Sequence, residues 1–191
     1  YGSMISSRLH FAGSASGTTS TDSTGTNDKT ASGASSLKAD SQALASDALY
    51  QKVKDKDGNE TDEYDVKKIF ATAKSFVSNY NKMFDAAESS SNSGVVANLS
   101  YIREKTARNA DALKSFGISV DAKGRLKIDE DTFKKSDMSK VQEFFKDYGS
   151  SIATNASLVD YYMTTQANAA NSYTAGGSYN VQGGSRYSGT V

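Results

Sequence analysis

Apolar side chains recur at helical spacing over residues 66–84. Val66, Ile69, Phe70, Ala73, Phe76, Val77, Tyr80, Met83 and Phe84 follow the i, i+3, i+4, i+7 rule, while Lys67, Lys68, Lys74, Ser78 and Lys82 fill the other face. This pattern predicts a long amphipathic helix. A polar break over residues 88–94 follows, and then Val95, Leu99, Ile102, Thr106, Ala110 and Leu113 predict a second helix over 94–115 with Ser93 as its N-cap. An apolar step near 3.5 residues and the short link between the two predict near-antiparallel packing of this pair, as in a coiled coil.

Phe116-Gly117 stops the second helix, because glycine takes the left-handed position at a helix C-terminus. Ile118-Ser119-Val120 and Leu126-Lys127-Ile128 then alternate apolar and polar about Asp121-Ala122-Lys123-Gly124. That alternation predicts a β-ribbon with one buried face, and Gly124 suits the left-handed slot of its turn. Asp129 is placed to cap a short turn containing Phe133. Ser139-Lys140-Val141-Gln142 reads as a capping box, and Val141, Phe144, Phe145 and Tyr148 supply a third apolar face. Beyond Gly149, the residues Ile152, Ala156, Val159, Tyr162, Met163, Ala167 and Ala170 trace a further helix. On the N-terminal side, Leu37, Leu44 and Ala48 predict a helix over 37–50 capped by Ser35 or Ser36. Asp57-Gly58-Asn59 predicts an exposed hairpin after it.

The ends differ in kind. Residues 1–11 carry Met4, Ile5, Leu9 and Phe11 on one face and read as an N-terminal amphipathic arm too short to be stable alone. Residues 12–36 are nearly all Gly, Ser, Thr, Ala, Asn and Asp, a composition that predicts a linker. Residues 37–170 form the expected helical domain with β-ribbons. Residues 171–191 read as a Gly/Tyr-rich tail in which Tyr173, Tyr179 and Tyr187 offer large area with few rotors. The fold class is therefore mainly α: an antiparallel helical bundle with one or two short β-hairpins, a flexible arm and a flexible tail. Met4, Ile5, Leu9, Phe11 and the three tail tyrosines are the candidate assembly contacts.

Composition narrows the chemistry. The 191 residues carry 22 basic and 22 acidic side chains, a balance that argues against a nucleic-acid footprint. No apolar run approaches the roughly 18 residues needed to span a bilayer. Cysteine is absent, which excludes disulfides and thiolate metal sites and fits an exported chain; proline is absent too, which suits long unbroken helices.

His10 is the sole histidine and lies in the arm with no framework for a catalytic triad. Asp55-Lys56-Asp57-Gly58-Asn59 lacks EF-hand spacing and reads as turn chemistry, and Asp129-Glu130-Asp131 reads as acids facing a helix N-terminus. Gly176-Gly177 and Gly183-Gly184 do not open a helix after a strand, so they form no phosphate cradle. Phe70, Phe76, Tyr80 and Phe84 share one helical face and are core. No catalytic residue, metal site or cofactor is expected.

Three pieces in order carry a resemblance. Phe76-Val77 with Tyr80-Asn81 ("FV..YN") precedes Phe116-Gly117-Ile118-Ser119-Val120-Asp121. That piece leads to Gly124-Arg125-Leu126-Lys127-Ile128-Asp129 ("GI..d..G.L.id"), and Val141 with Phe144-Phe145 ("V..lF") follows. Over about residues 64–150 the chain resembles the C-terminal region of the bacterial flagellar hook-associated protein 2, or filament cap, family, as a short divergent relative. The resemblance implies Phe76, Tyr80, Asn81, Gly117, Ile118, Gly124, Leu126, Ile128, Phe144 and Phe145 as the family-motif core.

That family carries a large β-rich insertion where this chain has only residues 88–94. It ends in a long helix paired with an N-terminal one, where a short C-terminal helix is expected here. The resemblance implies a non-enzymatic, self-assembling or flagellum-associated protein. Such a protein would be extracellular, on the bacterial flagellum or cell surface, with other copies of itself or flagellar and cell-surface proteins as partners. The alternative is a secreted adhesin or ligand-binding surface module whose tyrosines contact glycans or host surfaces.

Overall fold

The computed structural model describes the backbone of residues 20–175 and the side chains of residues 29–166. Met4, Ile5, Leu9, His10, Phe11, Tyr179 and Tyr187 lie outside the described residues, as do the Gly176-Gly177 and Gly183-Gly184 pairs. Tyr173 falls on described backbone, but its side chain lies outside.

The chain is mainly helical. In order it forms α1 (Ser20–Ala45), a 3-10 turn (Asp47–Tyr50), β1 (Lys52–Lys54), β2 (Glu60–Tyr64), α2 (Val66–Ala87) and α3 (Ser93–Arg108). Then come α4 (Ala110–Ser115), β3 (Ile118–Val120), β4 (Leu126–Ile128), α5 (Glu130–Lys135) and α6 (Met138–Ala175). The helices make a bundle, and β1-β2 and β3-β4 are two separate antiparallel hairpins. Among the described residues no helix is long and apolar enough to cross a membrane.

α2 matches its pattern. Ile69, Ala73, Phe76, Val77, Tyr80, Met83, Phe84 and Ala87 are buried, and Asp65 caps the helix by accepting the Lys68 N–H at 3.1 Å. The β3-β4 register pairs Ile118 with Ile128 and Val120 with Leu126. Asp129 caps α5, which buries Phe133, as the sequence predicts.

Other elements depart from expectation. The linker predicted over 12–36 gives way, from Ser20 onward, to the first helix, which runs for 26 residues or about 39 Å. Ser35 and Ser36 are therefore mid-helix and not caps. Thr30, Ala34, Leu37, Ser41 and Leu44 form a buried stripe at i, i+4, i+7 spacing. Because most of these side chains are small, α1 packs closely along both α2 and α6. A Cβ on Gly33 would lie 3.3 Å from the Met83 backbone, and one on Gly149 would lie 3.0 Å from the Ser41 carbonyl oxygen. Tertiary contact here overrides a composition that favours coil.

Gly149 does not interrupt a helix. α6 runs unbroken through it for 38 residues, about 57 Å, so the C-terminal helix is long and not short, and its first five described tail residues continue it. Asp137 caps α6 in place of the Ser139 box, accepting Ser139 N–H at 2.9 Å. The helix predicted over 94–115 breaks at Asn109 into α3 and α4, and Asn92, not Ser93, caps α3. Finally, α2 and α3 do not form the predicted pair. The long helix α6 carries α1 on one side and α3 on another, and α2 packs on α1.

The placement of α1 has a direct test. Ala34 is fully buried and Ser35 exposed. In urea unfolding, Ala34→Lys should cost about 3 kcal/mol or more and Ser35→Lys less than about 0.5 kcal/mol. Equal, small effects would mean that residues 20–36 do not pack.

Candidate functional site

The residues of the sequence resemblance converge on one flank of the bundle, where the β3-β4 hairpin and α5 lie along α2. Asn81, on the α2 turn below Tyr80, brackets the β4 backbone: its Nδ2 donates to the Leu126 carbonyl at 2.9 Å, and its Oδ1 accepts the Leu126 N–H at 2.8 Å. One side-chain amide thus satisfies both polar groups of a strand residue and fixes the hairpin on the helix. Leu126 and Ile118 are buried beneath it, and Ile128 is half-buried against the same core.

The hairpin turn is built by Asp121. Its Oδ1 accepts the Lys123 N–H at 2.8 Å and the Arg125 N–H at 2.9 Å, and Gly124 takes the predicted left-handed conformation with φ 75°. Asp55 repeats this device in the first hairpin, accepting the N–H groups of Asp57 and Asn59. Gly117, φ 80°, lies so close to α5 that a Cβ would meet the Asp129 carbonyl oxygen at 2.9 Å. Only glycine allows this helix end, strand and next helix to meet.

An aromatic cluster joins the hairpin flank to α6. Phe76 meets Phe145 edge-on at 5.6 Å between ring centroids, Phe144 meets Phe116 at 5.5 Å, and Phe144 stacks on Tyr148 at 5.0 Å. Within it, the Tyr148 and Thr106 hydroxyls share a 2.8 Å hydrogen bond. Tyr80 Oη is buried and has no partner. Burial dominates, pushing Tyr80 up to about 12 against the opposing pull of the Thr106 hydroxyl and of the Arg103 and Arg125 charges. Burial raises Tyr148 and Tyr50 as well. These phenols stay neutral through the physiological range and have the character of core, not of acid-base groups.

Outside the cluster, Arg125 Nε donates to Asp85 Oδ1 at 2.7 Å and its guanidinium, with that of Arg103, lies over the Phe84 ring at 5.5 and 5.2 Å. With Glu88 and Lys123 these residues edge a cleft of about 420 Å³. A wider groove of about 740 Å³ runs between α1 and α2 past Lys29, Ser32, Asn79 and Lys82. Among the described residues no group of three or more His, Cys, Asp or Glu side chains is placed to hold a metal. Comparison with protein-family models, with curated proteins and with solved structures returns no match.

All ten motif residues are therefore structural in position: eight sit at the hairpin seat and its supporting helix, and Phe144 and Phe145 back them from α6. Sequence reasoning missed Asn81's partner and the role of Thr106, Arg103 and Arg125. Asn81 carried a signal, as an amide one residue after a core tyrosine on a helix, but only the fold reveals what it holds.

Two measurements follow. Asn81→Ala leaves both Leu126 backbone groups unpaired and should cost about 2 kcal/mol in urea unfolding, whereas Tyr80→Phe removes an orphaned hydroxyl and should be neutral or stabilising by up to about 1 kcal/mol. The acid limb of stability is the second. Backbone N–H donors, that of Arg125 foremost, hold the Asp121 carboxyl below its ordinary range, and those of Asn59 do the same for Asp55. A depressed folded pKa stabilises the fold above the unfolded value of about 4 and loses that contribution as pH falls through the folded one. Asp121→Asn keeps the acceptor but not the titration. It should lower the thermal midpoint at neutral pH modestly, by the contribution the ionised carboxyl makes, and flatten the fall below about pH 4.

Proposed function

We infer that this chain is a non-enzymatic structural protein of the bacterial cell exterior that works by assembly, as a short relative of the flagellar filament-cap family. The observation that carries this reading is the lengthwise pairing of α1 with the 38-residue α6. Members of the family the chain resembles end in a long helix paired with an N-terminal one, and a pair of that kind arises here from residues whose composition pointed elsewhere. The seat made by Asn81 on Leu126 adds support, because it joins in space two motif pieces that are remote in sequence.

On this reading the hairpin flank is a rigid body and the α1–α6 pair is the element presented to other subunits. Its partners are further copies or flagellar components, and its place is the flagellum or the cell surface. The chemistry needed is packing alone. Buried aromatic and aliphatic surface supplies rigidity, and exposed helix faces supply contacts.

Electron microscopy of purified full-length chain mixed with isolated flagellar filaments and hooks tests the reading. Gold-labelled protein should decorate a defined end or surface of these structures, and Asn81→Ala should reduce decoration in step with its loss of folded fraction. Label scattered at background level on every flagellar part would overturn the flagellar role.

A further inference from the structure

The outward face of α6 is poor in charge over its second half. From Gly149 to Gln166 the only charged residue is Asp160. The exposed positions are Ser150, Thr154, Leu158, Tyr161, Thr164, Thr165 and Gln166, and two of them are large and apolar: Leu158 is 40% exposed and Tyr161 61%. Beside this ridge runs a groove of about 420 Å³ between α1 and α6, with a floor of Ser150, Ala153, Thr154 and Ser157, Leu158 at its edge, and Lys38 and Gln42 on its α1 wall. Knob and hole thus lie on one face, less than two turns apart.

We propose that this face is a homotypic interface, on which a second copy of the chain packs its own α6 antiparallel about a two-fold axis beside Ser157 and Leu158. The register follows from the spacing. An antiparallel two-fold that sets Leu158 of one copy against Ser157 of the other also sets Tyr161 of each over Thr154 of the other, in the groove. The small residues leave room for the phenol ring, and the same contact is made twice.

Charge selects the occupant. The groove lining and the α6 strip carry one charge of each sign, Lys38 on the α1 wall and Asp160 on α6, so two identical faces meet with no like-charge excess. The chain as a whole carries equal numbers of basic and acidic groups, 22 of each, so no long-range repulsion keeps copies apart. A basic or acidic partner would find little to pair with here.

Size sets the strength. A strip of about 17 residues is roughly 25 Å long and, at about 20 Å wide with its walls, buries near 500 Å² per copy. A standard stable interface buries about 800 Å² per partner, so this contact is a weak dimer, reinforced when several copies are held in one assembly.

This inference deepens the assembly reading above and rests on it for purpose, but its test is independent of any flagellar part. The chain has no cysteine, so single thiols can be placed at will. Full-length Ser157→Cys and, as control, Lys74→Cys on the exposed side of α2 are treated with a short bismaleimide, alongside sedimentation of the wild type from about 1 µM to 1 mM. The expected result is concentration-dependent dimer for the wild type and a cross-linked dimer for Ser157→Cys but not for Lys74→Cys. Adding Tyr161→Lys, with helicity checked by circular dichroism, should weaken association at least tenfold.

A wild type monomeric throughout, equal cross-linking at both positions, or an unchanged constant in the folded Tyr161→Lys variant would each overturn the interface. A dimer that ignores filaments would sink the flagellar role alone, and a monomer that decorates them would sink this interface alone.

Discussion

The architecture depends on how closely α1 can approach its neighbours. A helix carrying Thr30, Gly33, Ala34, Ser41 and two leucines on its inner side brings backbone near backbone, with α2 on one side and α6 on the other. Large side chains at these positions would push the helices apart and open voids between them. The glycines serve the same end: Gly149 is placed under the Ser41 carbonyl, where any Cβ would press on it. Because small residues give little hydrophobic free energy of their own, the stability of α1 comes from the large side chains of its neighbours, whose surfaces it covers. α1 is stabilised as a lid on a core that α2 and α6 supply.

The β3-β4 hairpin solves a different problem. A three-residue hairpin cannot be stable alone, and its strand groups must find partners. Asn81 supplies them in one bidentate contact, Asp121 ties the turn, and Gly117 lets the strand leave α4 at the angle the seat requires. The aromatic cluster beneath is large enough to leave the Tyr80 hydroxyl unpaired. The ring contacts of Tyr80 with Phe84 at 4.7 Å and Phe76 at 6.2 Å offset that cost.

These two solutions explain which parts of the fold were legible in the sequence. α2, the two hairpins and α5 are written in large apolar residues, capping aspartates and turn glycines, signals that act locally. α1 is not, since its helicity depends on two surfaces distant in sequence and its small side chains match the composition of a linker. The continuity of α6 was obscured for a related reason: Gly149 marks close packing by α1, a meaning invisible until α1 is known to be a helix. The pairing of helices failed likewise, because the pattern of α3 specifies a buried face but not its partner, and α6 takes the place assigned to α2. At the candidate site, the motif residues were identifiable one by one, while the Asn81–Leu126 bracket that unites them spans 45 positions.

Charge is distributed unequally over the surface. Asp85, Glu88, Arg103, Lys123 and Arg125 gather around the hairpin, where they pair and stack on Phe84, while the α6 segment from Gly149 to Gln166 retains Asp160 alone. Solvent-facing helices in water ordinarily carry charge on their outer face, as α2 does with Lys67, Lys68, Lys74 and Lys82. A helix that is polar outside but uncharged keeps the chain hydrated through hydroxyls, whose desolvation on contact costs far less than that of lysine or glutamate. Such a face can be covered and uncovered with little electrostatic work. The molecule thereby has two kinds of surface, a charged region around the hairpin and a strip along α6, poor in charge, suited to lying against another helix.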